Sequence, residues 1–186
     1  MSKHFETEAI RTQLNRSEFS EHSVPLYLTS SFVFEDAEDM RASFAEEKDR
    51  NIYSRYSNPN SSEFIDKVCQ MEGAESGFAF ASGMAAVFFT LAALVASGDQ
   101  VLSARRIFGS KHSLFTNFFP KWNIDHTYFK IDALEEIERL ITPKTKIIYA
   151  ETPTNPGVDV LDLEELGKIA KKNNLILIID ICFASP

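Results

Sequence analysis

The stretch Leu175-Ile176-Leu177-Ile178-Ile179-Asp180 is apolar throughout until its last residue. A strand without apolar–polar alternation is typical of a parallel sheet that is covered on both faces. In the chain that precedes it, predicted strands alternate with predicted helices of about ten to fifteen residues, which is the pattern of βαβ units. The sequence therefore predicts an α/β fold with a mostly parallel sheet, in which residues 175–180 form a central strand.

The other strands are predicted at short apolar runs, which are residues 78–81, 100–104, 126–129 and 146–150. Helices are predicted at residues 36–48, 61–72, 84–95, 110–119, 132–141 and 162–173. Asn60 or Ser61 is the expected cap of the second helix, and Asp132 and Asp162 are the expected caps of the last two. The helix at 84–95 is apolar on every side, so it is predicted to be buried.

Composition limits the partners of this chain. Its 186 residues carry a net charge of −8, which argues against binding to nucleic acid or to an anionic membrane. Ser82 and Gly83 interrupt the apolar run 78–95, so it is predicted to be a strand and a buried helix rather than a membrane span. The N-terminus shows no basic-then-apolar segment, so no signal peptide is predicted. Cys69 and Cys182 form no motif and are predicted to be free thiols in a reducing cytosol.

Residues 1–24 are polar and lack a core pattern, so they are predicted to form an arm that packs on something else, with a short helix over residues 7–14. The four histidines are scattered and are interpreted as structural or surface residues; they are His4, His22, His112 and His126. The sequence shows no P-loop, no G-x-G-x-x-G, no paired metal ligands and no Ser-His-Asp order.

Polar residues lie where three of the predicted strands end, and ligands bind at the carboxyl ends of parallel strands. The first of these positions is Ser82-Gly83, at the start of the apolar helix. A helix N-terminus offers unpaired N–H groups and a positive dipole end to a phosphate, and a glycine lets the anion approach closely. An ordinary N-capped core helix explains the same residues, and spacing alone favours that interpretation.

The other two positions are Asp180 and the loop 151–155. A buried carboxylate is costly unless it pairs with a cation, so Asp180 either faces a positively charged ligand atom or serves as a cap or structural pair. Asn155 offers a donor and an acceptor, although an Asn-Pro turn alone accounts for it. Tyr53 and Arg55 are two residues apart in an extended loop, so both could contact one phosphate; a solvated loop is the alternative.

Five stretches, taken in order, resemble the Cys/Met-metabolism family of pyridoxal-phosphate enzymes, which includes cystathionine γ-synthase, cystathionine lyases, methionine γ-lyase and the homoserine-ester sulfhydrylases. They are Val24–Phe32, Tyr53–Pro59, Ala81–Ala86, Glu151–Pro156 and Asp180–Pro186. The resemblance implies the three-layer large domain of fold-type I pyridoxal-phosphate transferases, which is aspartate aminotransferase-like, in truncated form. It implies an N-terminal arm and dimer-contact loop at residues 1–60 and an incomplete cofactor-binding large domain at residues 61–186.

The resemblance also implies roles for particular residues. Ser82, Gly83 and Met84 would hold the phosphate of pyridoxal 5'-phosphate. Asp180 would pair with the pyridinium nitrogen and keep it protonated, so that the ring can accept electrons from a substrate carbanion. Asn155 would bind the phenolic oxygen of the ring.

Two further residues are given roles across a subunit interface. Tyr53 and Arg55 would reach the phosphate of a neighbouring subunit, which implies a homodimer or homotetramer with a shared active site.

The stretch Arg106–His112 places Phe108 where most members of the family stack a Tyr, and a Phe can stack but cannot act as a hydroxyl acid or base. Phe108 and the stretch Cys182–Ala184 resemble the O-succinylhomoserine sulfhydrylase branch of the family.

Two departures from the family pattern stand out. Ile181 follows Asp180 where the family usually has Asn, which is expected to perturb the loop beside the ring. The family's Schiff-base lysine is expected downstream of Pro186, together with a C-terminal domain and its Arg for the substrate carboxylate. No Lys of these 186 residues occupies the matching position, so no catalytic residue is assigned and an N-terminal fragment is expected.

The resemblance implies a cytoplasmic trans-sulfuration enzyme of methionine biosynthesis, acting as a transferase or lyase. The expected reaction is γ-replacement on O-succinylhomoserine or O-acetylhomoserine by sulfide, which yields homocysteine. Cystathionine γ-synthase, a γ-lyase or methionine γ-lyase is the alternative within the family. A third hypothesis is a non-catalytic module that binds the phosphate or assembles with a partner chain through exposed apolar surface.

Overall fold

A computed structural model describes residues 4–11 and 15–185 of the chain. These residues divide into two compact units, one within residues 1–79 and one over residues 80–185. Each unit is described separately below. Seven α-helices lie in the described residues: α1 (Phe5–Ile10), α2 (Ala37–Phe44), α3 (Pro59–Glu72), α4 (Gly83–Leu94), α5 (Gly109–Ser113), α6 (Ile137–Leu140) and α7 (Leu163–Lys172).

The second unit is built on four strands: β1 (Gln100–Ala104), β2 (Asp125–Phe129), β3 (Thr145–Glu151) and β4 (Ile176–Asp180). Their order is β2-β1-β3-β4, and every neighbouring pair is parallel. The prediction of an α/β fold with a parallel sheet is therefore confirmed. Within the described residues β4 lies at an edge, so its prediction as a central strand was wrong. A continuous apolar run indicates that both faces of a strand are covered, but it does not indicate where the strand lies in the sheet.

The core of the second unit packs around β1 and β3. Every residue of β1 is buried, as are the aromatic rings of Phe115, Phe119 and Tyr149. Phe115 packs edge-on against both Phe119 and Tyr149, with ring centroids 5.3 and 5.6 Å apart. Such edge-to-face pairs add about 0.5–1.5 kcal/mol each beyond the burial of their surface. The two central strands therefore form the rigid base on which the strand ends are positioned.

The helices of this unit differ in how well the sequence predicted them. Helix α7 begins where expected, because the Asp162 carboxylate accepts the N–H of Glu165 at 2.9 Å. The predicted helix 110–119 is instead α5 followed by a π-helical turn at Leu114–Phe118. The predicted helix 132–141 is a 3-10 turn followed by the short α6, and its cap is Ala133 rather than Asp132.

Two expectations for the stretch 78–95 were wrong. Residues 78–81 form no strand, and the Phe78 side chain is 87% exposed. Helix α4 is buried on one side only: Leu91 is fully buried, whereas Phe89 is 55% exposed. A helix that is apolar on every side is predicted to pack against other elements on every side. The described residues supply that cover on one side of α4 only.

The first unit contains α1, α2 and α3 and an antiparallel bridge between Ser31 and Tyr53. Helix α3 is capped by Asn58, whose side-chain oxygen accepts the N–H of Asn60, so the predicted cap at Asn60 or Ser61 was wrong. Pro59 explains the shift, because proline is favoured at the first position of a helix. The predicted short helix over 7–14 corresponds to α1 in part, and its residues 12–14 lie outside the described residues.

The described residues contain no helix long and apolar enough to span a bilayer. They also contain no group of three or more His, Cys, Asp or Glu side chains that could hold a metal ion. Cys69 and Cys182 are free thiols, as expected.

Candidate functional site

A cavity of about 220 Å³ opens where β3 and β4 end and where α4 and α5 begin. Its lining residues are Gly83, Met84, Phe108, Lys111, Glu151, Asn155, Asp180, Cys182 and Phe183. In open parallel sheets this edge is where ligands bind. Five residues that the sequence singled out therefore face one space, although they are far apart in the chain: Gly83, Met84, Phe108, Asn155 and Asp180.

The start of α4 forms one wall of the cavity. Ser82 caps this helix, and its hydroxyl accepts the N–H of Ala85 at 3.2 Å. The N–H groups of Gly83 and Met84 have no intrahelical partner, as at any helix start, and the dipole makes this end positive. A Cβ added at Gly83 would meet only the Cys182 Sγ atom, at 4.0 Å, so packing does not require glycine here. Its missing side chain instead leaves open space beside the helix start.

A buried ionic cluster forms the floor of the cavity. The Lys111 Nζ atom lies 2.6 Å from Glu151 Oε2 and 2.5 Å from Asp180 Oδ2. All three side chains are no more than 6% exposed. Glu151 and Asp180 are register partners at the last positions of β3 and β4. One ammonium against two carboxylates leaves the cluster with one net negative charge.

The cluster was missed by the sequence analysis. Glu151 was predicted only as the start of a polar loop, and Lys111 only as a residue inside a predicted helix. Lys111 lies 40 residues from Glu151 in the chain. The available signal was weak: Glu151, like Asp180, is an acidic residue that directly follows a buried strand, and two such carboxylates at one sheet edge require a cation.

Asp180 is held as a carboxylate by donors from three residues. Lys111 and the Tyr149 hydroxyl donate to Oδ2, the latter at 3.3 Å, and the backbone N–H of Cys182 donates to Oδ1 at 3.0 Å. Burial by itself would raise the pKa of Asp180, but the hydrogen bonds from Lys111 and Cys182 outweigh it and hold the pKa below its ordinary value. Asp180 is therefore a negative charge aimed at the cavity.

Two other ionisable neighbours of Asp180, Tyr149 and Cys182, stay neutral. Burial, followed by the negative charge of Asp180, raises the pKa of Tyr149. The hydrogen bond to Asp180, followed by burial, raises the pKa of the Cys182 thiol. Both groups therefore act as hydrogen-bond donors rather than as additional charges.

Phe108 and Asn155 complete the wall opposite the helix start. The Phe108 ring is 42% exposed, and its backbone N–H donates to Glu151 Oε2 at 3.0 Å. Asn155 is half-buried in a loop in which Thr154 donates to Asp159 Oδ2 at 2.8 Å. Arg106 pairs with the other oxygen of Asp159 at 2.8 Å, which ties this loop to the segment before α5. The exposed ring and the amide are thus held by surrounding contacts.

Tyr53 and Arg55 belong to the first unit, where both are exposed. The Arg55 guanidinium lies over the rings of Tyr53 and Tyr56, with its carbon 5.2 and 5.4 Å from their centroids. Their expected contact with the phosphate of a neighbouring subunit stays a prediction.

His126 is half-buried and packs against the core. Its Nε2 atom lies 2.8 Å from the Ser103 hydroxyl, and its ring stacks on Phe115 at 4.7 Å. Burial is the main cause that lowers the pKa of His126 to about 4, so the ring is neutral at pH 7. His112 hydrogen-bonds to the Tyr128 hydroxyl.

The fold and cavity together define a class of protein: a parallel α/β domain that presents a helix N-terminus, an exposed aromatic ring and a buried Asp at one edge of its sheet. The sequence matches the family model described as Cys/Met metabolism PLP-dependent enzyme over residues 6–186. The chain therefore belongs to this family of pyridoxal-phosphate-dependent enzymes.

Similar proteins carry more than one name within the family. The chain is 39% identical over 182 residues to O-succinylhomoserine sulfhydrylase of Pseudomonas aeruginosa, covering 98% of this chain and 45% of that protein. It is 33% identical over 181 residues to L-methionine gamma-lyase of Fusobacterium nucleatum, covering 97% of this chain and 46% of that protein. The chain spans about half the length of the curated relatives it matches.

A solved structure of a similar protein confirms the fold. A crystal structure described as a proposed O-acetylhomoserine (thiol)-lyase from Campylobacter jejuni superimposes with a TM-score of 0.94 at 34% identity. The match covers 100% of this chain and 46% of that one, which contains N'-pyridoxyl-lysine-5'-monophosphate at its position 205. The predicted α/β large domain of the fold-type I transferases, and the prediction of pyridoxal phosphate as the cofactor of the family, are thereby confirmed.

The cavity residues fit pyridoxal phosphate chemically. The helix start at Gly83 suits a phosphate dianion, and the space that a Cβ would enter is open. Phe108 offers a ring for stacking, and the net negative cluster at Asp180 suits a cationic ring nitrogen.

Proposed function

We propose that this chain is the N-terminal part of a pyridoxal-phosphate-dependent trans-sulfuration enzyme. The proposed reaction is γ-replacement, in which sulfide displaces the acyl group of O-succinylhomoserine or O-acetylhomoserine and yields homocysteine. The observation that carries the proposal is the single cavity shared by the start of α4, Phe108 and Asp180. The relative from Pseudomonas aeruginosa, named O-succinylhomoserine sulfhydrylase, supports this substrate class.

Each wall of the cavity has a proposed binding role. The N–H groups of Gly83 and Met84 and the Ser82 hydroxyl bind the phosphate, as the helix dipole favours. Phe108 stacks on the ring, Asn155 binds its phenolic oxygen and Asp180 pairs with its nitrogen. When bound, pyridoxal phosphate supplies an electron sink for a substrate carbanion.

Phe108 limits what this half of the site can do. A phenyl ring positions the cofactor by contact but has no proton to exchange, so it cannot serve as general acid or base. Tyr149 and Cys182 are neutral donors already bonded to Asp180. We propose that proton transfer to and from the substrate falls to a lysine outside these 186 residues, and that these residues alone bind the cofactor without turnover.

Intact mass of the protein at its natural length tests this division of the site. We expect a mass clearly above the 21.0 kDa of these residues, with a pyridoxyl group on a lysine outside them after borohydride reduction and peptide mapping. A pyridoxyl group mapped to a lysine of this chain would contradict the proposal.

A competing proposal within the family is elimination rather than replacement, because a methionine gamma-lyase is 33% identical to the chain. The same preparation separates the two reactions. Sulfide-dependent formation of homocysteine from O-succinylhomoserine supports the replacement reaction. Release of ammonia from methionine or cystathionine, without a requirement for sulfide, would instead support the lyase reaction.

We expect Asp180→Ala to nearly abolish turnover in the enzyme at its natural length, because the ring nitrogen loses its partner. Steady-state kinetics with O-succinylhomoserine and sulfide measure the loss. Asp125→Ala is a matched control, since Asp125 also pairs with a cation, Lys144, but lies outside the cavity lining. Turnover of Asp180→Ala close to that of the unchanged enzyme would refute the assigned role.

We propose a cytoplasmic homodimer or homotetramer in which Tyr53 and Arg55 contact the phosphate of a neighbouring subunit. Arg55→Ala is expected to increase cofactor loss on dialysis, because a charge-assisted phosphate contact is removed. Absorbance of the cofactor before and after dialysis measures it, and light scattering measures the oligomeric state. Unchanged retention, or a monomer with full cofactor content, would remove Arg55 from the site.

A further inference from the structure

Lys111 is a charged residue of the cavity to which the proposed function assigns no role. Its Nζ atom contacts Asp180 Oδ2 at 2.5 Å, so it already occupies the carboxylate that the ring nitrogen is proposed to use. Glu151 Oε2 lies 2.6 Å from the same Nζ atom. A ligand nitrogen at Asp180 would therefore share its partner with a protein ammonium.

A ring N–H would have to share the Asp180 carboxylate with the donors that already contact it. An ionised carboxylate has about four lone-pair sites. Asp180 accepts from Lys111, from the Tyr149 hydroxyl and from the Cys182 backbone N–H. The Cys182 thiol is a further, weak donor to Asp180, so a ring N–H would take its place, and the ammonium of Lys111 would lie beside it. A nearby like charge disfavours a protonated nitrogen.

Lys111 acts as a charge rather than as a nucleophile. The Lys111 Nζ atom is an ammonium that makes ion pairs with two carboxylates, those of Glu151 and Asp180. An ammonium has no lone pair with which to attack a carbonyl carbon. Its influence on a bound ring is therefore electrostatic.

Of the other groups that face Lys111, the carboxylates carry negative charge and the remaining groups are neutral. Glu151 on β3 is negative, and Tyr149 on β3 and Cys182 after β4 are neutral donors. Lys111 thus opposes a proton on the ring nitrogen, whereas Glu151 and Asp180 favour it. The net charge of the three side chains is negative by one, so their balance decides how firmly the proton is held.

We propose that Lys111 is a positioning residue that shares Asp180 with the ring nitrogen of the cofactor and thereby weakens the hold of that nitrogen on its proton. This inference rests on the proposed function, because it requires pyridoxal phosphate at Asp180. Glu151 keeps the site negative in spite of Lys111, so the cluster sets a proton affinity below that of Glu151 and Asp180 without Lys111.

The test uses pyridoxine 5'-phosphate labelled with ¹⁵N in its ring. This probe keeps the ring and the phosphate but has an alcohol in place of the aldehyde, so it cannot react with lysines. The ¹⁵N chemical shift followed against pH gives the pKa of the bound ring nitrogen. The protein is used at its natural length, and the exposed-surface variant Lys168→Met is the control.

Lys111→Met is expected to raise the pKa of the bound ring nitrogen by about one unit or more, a tenfold gain in proton affinity. A second comparison removes the risk that two unpaired carboxylates prevent folding. In the Glu151→Gln background a single carboxylate remains, and adding Lys111→Met is expected to raise the same pKa by a similar amount. Lys168→Met is expected to leave it unchanged.

The outcomes separate this inference from the proposed function. A bound probe whose ring pKa is equal with and without Lys111, in either background, overturns the role of Lys111 and leaves the cofactor site intact. A probe that binds to none of the proteins overturns the cofactor site and the inference with it. A rise in both backgrounds supports both.

Discussion

Two buried-carboxylate clusters among the described residues have opposite compositions, one around Asp39 and one around Lys111. In the first unit, Asp39 is 6% exposed and pairs with two cations, with Lys48 Nζ at 2.7 Å and Arg50 at 2.5 Å. In the second unit, Lys111 is one cation against two buried carboxylates, Glu151 and Asp180. The first cluster is more than neutralised by its own residues, whereas the second keeps a negative charge that faces a cavity.

The difference separates a structural ion pair from a candidate binding site. Asp39 accepts the N–H of Glu35 and, together with Lys48 and Arg50, lines an open cavity of about 530 Å³ in which both cations neutralise it; Lys48 is 54% exposed. The pKa of Asp39 is lowered by the Lys48 hydrogen bond and then by the Glu35 N–H. Asp180 is ionised as well, but its cluster has one negative charge left for a cationic ligand. Charge balance, rather than the presence of a buried Asp, identifies the site.

The largest effect is expected from Lys111→Met. Removing the shared cation leaves two buried carboxylates without a partner, so we expect a loss of about 3–5 kcal/mol in the free energy of unfolding. Urea denaturation at pH 7 measures it. Adding Glu151→Gln should recover a substantial part, because only one carboxylate then remains. A loss below that of the surface control Lys168→Met would show that the cluster is not a buried, partnered unit.

A pH scan of stability separates the carboxylates from His126. The pKa of His126 is lowered to about 4 in the folded protein, so the unfolded chain binds the proton more readily. Stability is therefore complete above about pH 6.5 and is lost as the pH falls towards 4, by about 2 kcal/mol after allowing for partial exposure. Asp180, whose pKa is also lowered, contributes stability above its ordinary pKa and loses it only at lower pH.

His126→Phe checks this assignment, since phenylalanine keeps the stacking on Phe115 and does not titrate. Urea midpoints of the variant should be flat between about pH 6.5 and 4, apart from the carboxylate contribution at the acidic end. The same slope in the variant and the unchanged protein would assign the acid sensitivity to another group.

Lys48→Met tests the comparison of the two clusters from the side of Asp39. Arg50 still pairs with Asp39 after the substitution, and Lys48 is largely exposed. We therefore expect roughly a fifth of the loss seen for Lys111→Met, in the same urea experiment. Equal losses at the two lysines would remove the distinction between the clusters.

The smallest effect on stability is expected from Gly83→Ala. A Cβ at this position meets no atom closer than Cys182 Sγ at 4.0 Å, and alanine suits a helix, so stability should change by only about 0.5 kcal/mol. The methyl group fills space beside the helix start, so the affinity for pyridoxine 5'-phosphate is expected to fall about tenfold. Gly167→Ala, in open surroundings on α7, is the control and should leave affinity unchanged. Unaltered binding in Gly83→Ala would remove the helix start from the phosphate site.

Local patterns predicted much of the second unit. β1 appears at the predicted residues Gln100–Ala104, and α7 begins at its predicted cap, Asp162. Both depend on neighbours within a few positions, namely a short apolar run and a carboxylate three residues before the N–H it accepts. Asp180 was also singled out from its place after an apolar strand.

The errors have a different origin. The order β2-β1-β3-β4, the exposure of Phe78 and the one-sided burial of α4 depend on what packs against each element. An apolar residue is attracted to any apolar surface, because the hydrophobic effect is not directional. Hydropathy therefore predicts that a segment will be buried, but it does not identify the elements that bury it.

The sequence by itself determined the parallel α/β fold, because local spacing carries the pattern of strands and helices, and the resemblance of five stretches identified the family and the candidate residues near Ser82, Asn155 and Asp180. Only the tertiary structure decided that Lys111 lies between Glu151 and Asp180. These side chains come from three separate elements, and a contact of 2.5 Å depends on strand register and helix placement together. Electrostatic energy depends on distances between atoms, and the chain order does not contain those distances.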